Sequence, residues 1–360
     1  MKIFIYGVDY LCYSTSIANA LQSMGHNVCY VPVANFEKKN LDLGQYLQYK
    51  LSPDKYKRDF IKKHTADLKE NVNNFAPDIF ISIGANYFLE TVTADLLTDL
   101  RSGGVKLISW YIDSVKRYTS VNQHFDLFDE IISLEYGDVE YLLNNFQKHC
   151  RHVPMGVAEE IYCTELSKQN KEYDICFVGH GSENRVETLN AIAAYCNDVG
   201  KKLIVYGIYY NTSHWWKLVL DKFKFKKNYP NLYKCIRNET ISPEQVVKLY
   251  AKSKICLNIH IPVHQNTNPR TFEILGSGNF ELCDQRSDAE TFGLKQNKNI
   301  VFYRDVEDAI KKIDYYLKHD NERQMIAENG SRLVRENCTM KRFIEKYASD
   351  IFVNTVLGGL

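Results

Sequence analysis

The feature that most constrains this chain is a strand closed by glycine and followed by a helix, and it occurs twice. KIFIYG (2–7) is a β-rich run ended by Gly7, TSIANALQSM (15–24) has amphipathic helical spacing ended by Gly25, and HNVCYVPV is the next strand. That is one β-α-β unit, the signature of a parallel sheet with crossover helices. The pattern continues through a charged helix (56–74), PDIFISIG (77–84), a helix near 89–102, VKLISWYI (105–112), FDEIISL (128–134), GDVEYLLNNF and CRHVPMG (150–156). Residues 157–172 lack periodicity and read as a linker. It then restarts: YDICFVG (173–179), a helix over 184–199, and KKLIVYG (201–207), a second glycine-ended strand. Helices at 243–253, 270–278, 305–319, 321–336 and 340–353 alternate with KICLNIHI, NFELCD and NIVFY. The expected class is α/β, with two Rossmann-like halves in succession.

Length agrees with two halves, since 360 residues at about 150 per domain suggest two domains. The net charge of +1 gives no electrostatic footprint for coating DNA or RNA, so no nucleic-acid partner is expected. Ten cysteines are never closer than 13 residues, which leaves no CxxC ligand or redox pair, and most sit in apolar runs. A reducing cytoplasm fits that usage. The opening MKIFIYGVDY lacks the apolar core and cleavage site of a signal peptide, and no run approaches the ~18 apolar residues of a membrane span.

In open parallel sheets ligands bind outside the carboxyl ends of the strands, and between two such domains the default site is their cleft. Neither GxGxxG nor GxxxxGK[ST] occurs. GHGSENR (179–185) nevertheless opens a helix, and the N–H groups from Gly179 through Gly181 to Ser182, with Arg185, suit a phosphate. The alternative is a plain turn with an exposed arginine. A second cluster is NPRTFEILGSG (268–278), where Asn268 and Pro269 fit a helix start. Arg270 or the Thr271 hydroxyl would assist a phosphate there, and Glu273 could accept two ribose hydroxyls. Otherwise it is a capped helix whose glutamate complements the dipole.

The segment ISPEQVVKLYAKSKICLNIH…NPRTFEILGSGNFELCD, with the helices after it, resembles the C-terminal half of CgeB-like glycosyltransferases. These belong with the family-one glycosyltransferases of the GT-B fold. YDICFVGHGSENRVETL is similar to that family's strand and phosphate turn, and ISWYIDS, FDEIISLEYGDVEYL and HVPMGVAEEIY to its N-terminal half. The likeness covers most of 100–345, is strongest over 241–284 and weak before 75. It implies an acceptor domain over 1–160, a nucleotide-sugar domain over 173–339, and a helix at 340–360 packing back on the first. By the same resemblance Arg185 and Arg270 serve the diphosphate and Glu273 the ribose. It implies transfer of a sugar from a nucleoside-diphosphate donor to a glycan, lipid-linked or protein acceptor, in bacterial surface glycan or glycoconjugate synthesis. A non-catalytic nucleotide or sugar binding module on the same scaffold is the rival.

Many retaining GT-B enzymes carry Glu-x7-Glu; here Gln265 stands where the first glutamate would be and Glu273 is the second. An inverting enzyme needs a base for the acceptor hydroxyl. Asp113, at the end of VKLISWYI, and His260, in CLNIHIPV, are the candidates. Their alternatives are a turn cap and a satisfied core histidine. No metal is expected: Pro262 between His260 and His264 argues for extended chain, and His149/Cys150/His152 has no further close ligands. The donor is a substrate, and no cofactor is expected. Residues 215–234 carry six Lys against one Asp among two Trp, two Phe and two Tyr. They read as a solvated helix with buried aromatics, or as a peripheral contact with the inner face of a membrane.

Overall fold

The structure, a computed structural model, describes residues 1–33, 42–84, 94–117, 122–164, 170–210, 215–262 and 266–353, without the side chains of 94, 122–124 and 215–217. The chain divides into two compact units, Met1–Met155 with Phe343–Leu360, and Gly156–Arg342.

In the first unit, β1 (Lys2–Gly7), β2 (Asn27–Pro32), β3 (Ile79–Ile83), β4 (Lys106–Tyr111), β5 (Glu130–Ser133) and β6 (Arg151–His152) form a parallel sheet ordered β2-β1-β3-β4-β5-β6. Its helices are α1 (Tyr13–Ser23), α2 (Leu43–Leu51), α3 (Pro53–Phe75), α4 (Ala94–Ser102) and α5 (Gly137–Phe146). Ile17 and Leu21 of α1, four residues apart, share a buried face. In β3 all five residues are buried, as a strand covered on both faces requires. Expected structure at 85–93, before α4, lies outside the described residues.

The second unit holds α6 (Glu159–Tyr162), β7 (Tyr173–Val178), α7 (Glu183–Asp198), β8 (Leu203–Tyr206), α8 (Trp215–Asn228), α9 (Pro230–Cys235), β9 (Ile236–Arg237) and α10 (Pro243–Ala251). It continues with β10 (Ser253–Asn258), α11 (Pro269–Gly276), β11 (Glu281–Asp284), β12 (Val301–Tyr303), α12 (Val306–Lys318), α13 (Asp320–Asn337) and the start of α14 (Met340–Tyr347). The sheet order is β12-β11-β10-β7-β8-β9, all parallel. The order reverses between β7 and β10, and in open parallel sheets ligands bind outside the carboxyl ends of the strands at such a reversal. Val186, Leu189, Ile192, Ala193 and Cys196 of α7 bury one helical stripe over this sheet. Each such aliphatic side chain contributes about 2 kcal/mol by leaving water.

Two expectations are corrected. The stretch after 156 is not a free linker at its start: Val157, Ala158 and Tyr162 are buried, and Val157 bridges Thr339. Val157 N–H donates to the Cys338 carbonyl at 3.0 Å, and Gly156 permits that approach, since a Cβ there would overlap the Met340 backbone. The terminal helix stops at Tyr347 and a 3-10 turn, Ser349–Phe352, follows. Phe343, Ile344, Ile351 and Phe352 are buried. Arg151 of β6 grips Asp350 with two bonds of 2.9 Å and reaches the Tyr347 carbonyl.

Candidate functional site

Backbone geometry at the β7/β10 reversal comes first. The turn after β7 folds against the segment after β8, with Gly179 N–H donating to the Tyr206 carbonyl at 2.9 Å and Gly181 N–H to Ile208 at 3.0 Å. Both donors are therefore spent within the fold, unlike the phosphate role expected for them. The close pass depends on Gly207, whose φ is +148° and whose Cβ would overlap the Gly179 carbonyl oxygen. A Cβ at Gly181 would stand 2.9 Å from the Tyr209 ring. Ser182 starts α7 without capping it, because its hydroxyl donates to Asn184 Oδ1 at 2.7 Å. The first-turn N–H groups of α7 thus keep the partial positive charge of an uncapped helix end.

Two side chains of that first turn brace it to the exit of β10. Arg185 Nε donates to the Ile259 carbonyl at 2.8 Å and its Nη1 to His180 at 3.0 Å, while Asn184 Nδ2 donates to the His260 carbonyl at 2.7 Å. Burial, and then the positive charge of Arg270, lower the Arg185 pKa. The His180 ring is held below its ordinary value by burial and by both arginines. Two arginines therefore face each other here beside a neutral imidazole, whose Nδ1 accepts the Ile208 N–H at 3.0 Å, and an anion would relieve the repulsion between them.

Helix α11 begins as expected, with Asn268 Oδ1 accepting from Thr271 N–H and Pro269 at the first helical position. Arg270 and Glu273, three apart, form an ion pair of 2.6 Å, with Arg270 also donating to the Tyr250 hydroxyl at 3.1 Å. Glu273 is 3% exposed, and burial raises its pKa against the pull of Arg270 and a Tyr162 hydrogen bond. Thr271 departs from its expected role. Its hydroxyl is buried, donating to Glu281 Oε1 at 3.0 Å and accepting from Asn258 Nδ2 at 3.1 Å. It anchors the helix and cannot also hold a phosphate.

His260 is placed differently from a catalytic base. Its Nδ1 donates to Asp284 Oδ1 at 2.8 Å, and its Nε2 accepts the Asn268 N–H at 3.1 Å. Both ring nitrogens are occupied, leaving no lone pair for a substrate proton. Burial lowers its pKa, outweighing Asp284, so the ring is neutral at pH 7. For Asp284, burial pushes the pKa up, but the His260 bonds and Arg286 overcome it and the carboxyl ends below its usual range. Cys283 completes a trio with ligand atoms within 4.8 Å of one another, the metal-type group found among the described residues. Its chemistry is hydrogen bonding: Nδ1 carries a proton, Arg286 sits on Asp284, and burial keeps the Cys283 thiol protonated.

Asp113 lies in the first unit, accepting from Arg117 Nη1 and Ser114 N–H, each at 2.8 Å. Behind it the fully buried Asp138 collects Ser114 Oγ, Val115 N–H and Ser133 Oγ at 2.6–2.9 Å. That fixes the loop carrying Asp113. Gln265 and His264 lie outside the described residues. His152 is bonded to the Leu134 carbonyl, and burial pushes the Cys150 thiol up to about 12, so neither offers a ready metal ligand.

Sequence reasoning missed His180, Asn184, Asn258, Glu281 and Asp284. His180 and Asn184 lay inside the GHGSENR turn, and Asp284 stood as an acidic residue at the carboxyl end of NFELCD, whereas Asn258 and Glu281 left no signal.

Residues 180–349 match the family model described as glycosyl transferase-like. The spore protein CgeB of Bacillus subtilis (strain 168) is 22% identical over 280 residues, 74% of this chain and 80% of that protein. Sucrose-phosphate synthase from Thermosynechococcus elongatus superposes with a TM-score of 0.61 at 11% identity, covering 98% of each chain. Anabaena HepE, solved with UDP and glucose, superposes with a TM-score of 0.58 at 12% identity, covering 98% of this chain and 99% of that one. These likenesses show that the fold is GT-B. Among the described residues, no helix is long and apolar enough to cross a membrane. The chain thus has the GT-B fold, and it is similar over 180–349 to glycosyl transferase-like domains and over 280 residues to CgeB.

Proposed function

We propose that the protein transfers a sugar from a nucleoside-diphosphate donor to a glycan, lipid-linked or protein acceptor, in surface glycan or glycoconjugate synthesis. The observation that carries the reading is the mutual repulsion of Arg185 and Arg270 at the β7/β10 reversal, where Arg185 is braced on the Ile259 carbonyl beside the uncapped start of α7. A diphosphate there relieves the crowding of positive charge. As the sugar leaves, the same groups stabilise the charge that develops on the diphosphate, which makes a metal unnecessary.

The Arg270–Glu273 pair is the resting form of the donor site. Arg270 turns to the phosphates when they arrive, and the uncovered Glu273 accepts the ribose hydroxyls. A cavity of about 330 Å³, lined by Tyr209, Tyr210, Phe225 and Tyr229 together with the polar Asp221, Lys224 and Asn228, lies beside Gly181 and offers ring faces and polar groups for the base. Asp113 is the proposed base for the acceptor hydroxyl. A lipid-linked acceptor would bring the enzyme to the inner face of a membrane, with 215–234 as the contact.

The test is a thermal-shift and calorimetry screen with UDP-, GDP-, dTDP- and CMP-sugars, repeated on Arg185→Ala and Glu273→Ala. At least one donor is expected to bind, and each variant to weaken it tenfold or more, about 1.4 kcal/mol. Affinity within twofold of wild type in both variants sinks the site. Binding with no hydrolysis or transfer to any acceptor would instead identify a non-catalytic binding module.

A further inference from the structure

Helix α8 keeps only one of its two phenylalanines inside. Phe225 is buried against Tyr209, Tyr210 and Tyr229, with ring centroids 5.2–6.1 Å away. Phe223, two residues earlier and so about 200° round the helix, is 68% exposed. Val219, at 60%, and Leu220, at 54%, stand one turn before it on the same outer face. An apolar cluster at these spacings is not the solvated face with buried aromatics that the sequence first suggests.

The charge around it has one sign. Of the 14 residues in α8, five are lysines and one is aspartate, in a chain whose net charge is only +1. Lys222, Lys224, Lys226 and Lys227 are exposed beside the apolar trio. Lys227 follows Phe223 by four residues and extends the same face. An apolar centre with a lysine rim fits a layer that is hydrocarbon beneath and anionic at its surface. A nucleic acid would favour the opposite order, with aromatic faces set in a charged groove.

We propose that the outer face of α8 docks on an anionic lipid surface, with Val219, Leu220 and Phe223 entering the headgroup layer and the lysines meeting lipid phosphates. This gives the membrane contact a definite face and lipid chemistry, and it needs no occupied nucleotide site.

The experiment is co-sedimentation of the full chain with vesicles of phosphatidylcholine alone or with 30 mol% phosphatidylglycerol. Phe223→Ser/Val219→Ser and Lys222→Glu/Lys227→Glu are run beside wild type. Wild type is expected to sediment at least fivefold more with the anionic vesicles, and to be released by 0.5 M salt. Either double variant should lose most of that binding while keeping the wild-type melting temperature. No preference for anionic vesicles, or unchanged binding in both variants, overturns the proposal. So does a concentration-dependent dimer that Phe223→Ser/Val219→Ser abolishes without any vesicle binding, because the face then belongs to a second copy. Nucleotide calorimetry on the same variants separates the two readings: failure at the donor site leaves vesicle binding intact, and the reverse.

Discussion

His260 accepts the backbone N–H of Asn268 at Nε2, 3.1 Å away, and so holds the cap residue of α11 in place from the neighbouring strand exit. A protonated ring has no lone pair for that bond. Donor affinity should therefore fall as pH drops below the ordinary imidazole value of 6.5, towards the lowered pKa of this ring. The charged groups around it, Asp284, Arg286 and Arg185, keep their charge across that range, and protonation of His180 would act in the opposite direction by adding positive charge at the site. His260→Gln can accept from Asn268 and donate to Asp284. It is expected to keep affinity within about threefold at pH 7.5 and to lose the acid step, whereas His260→Ala loses roughly tenfold, about 1.4 kcal/mol. Calorimetry from pH 5.5 to 8 decides between this role and simple packing.

Glu281 makes a separate, opposite contribution to stability. Burial raises its pKa from 4.5 to about 7, against the bonds from Asn258 and Thr271. Between those values the folded chain holds a proton that the unfolded chain has lost, so this group's contribution weakens as pH rises from 4.5 towards 7. Glu281→Gln should be more stable than wild type by about 3 kcal/mol at pH 8, with no gain near pH 4.5. Urea titrations at the two pH values measure the difference.

Removing Arg270 strands a carboxylate. Glu273 is 3% exposed and would have lost its ion-pair partner. Arg270→Met is expected to cost about 3 kcal/mol at pH 8. Part of that should return at pH 5, where the raised pKa lets Glu273 take a proton. A loss that is the same at both pH values would place the cost in packing alone.

Two glycines separate strain from crowding. Gly200 has φ +69° with open space where a Cβ would point, while Gly207 combines φ +148° with an overlapping carbonyl. Gly200→Ala should cost about 1 kcal/mol. Gly207→Ala should cost more than about 3 kcal/mol and abolish donor binding, since it drives the β7 and β8 turns apart. Denaturation midpoints of the pair test this, and equal losses would refute it.

Much of the fold was legible because periodicity and glycine report on local structure. KIFIYG and KKLIVYG became β1 and β8, and Asn268–Pro269 opened α11 as their chemistry requires. The polar interior was not legible. Asn258, Thr271 and Glu281 meet from two strands and a helix, and no residue spacing records that meeting. Of the two readings of His260 the satisfied core histidine fits its hydrogen bonds, while its partners Asp284 and Asn268, 24 and 8 residues away, could not be named from spacing. Glu273 was placed correctly on its helix, yet its cover by Arg270 is a matter of rotamers, which sequence does not specify.

The first unit recovers Phe343–Leu360 only after the whole of Gly156–Arg342 has intervened. During synthesis its β-sheet leaves the ribosome long before Phe343, Ile344, Ile351 and Phe352 can cover it. The amino-terminal half must therefore wait, incompletely sealed, while the other half emerges and can already fold around the β7–β10 frame. A nascent chain halted near residue 340 would therefore present that unsealed surface to chaperones.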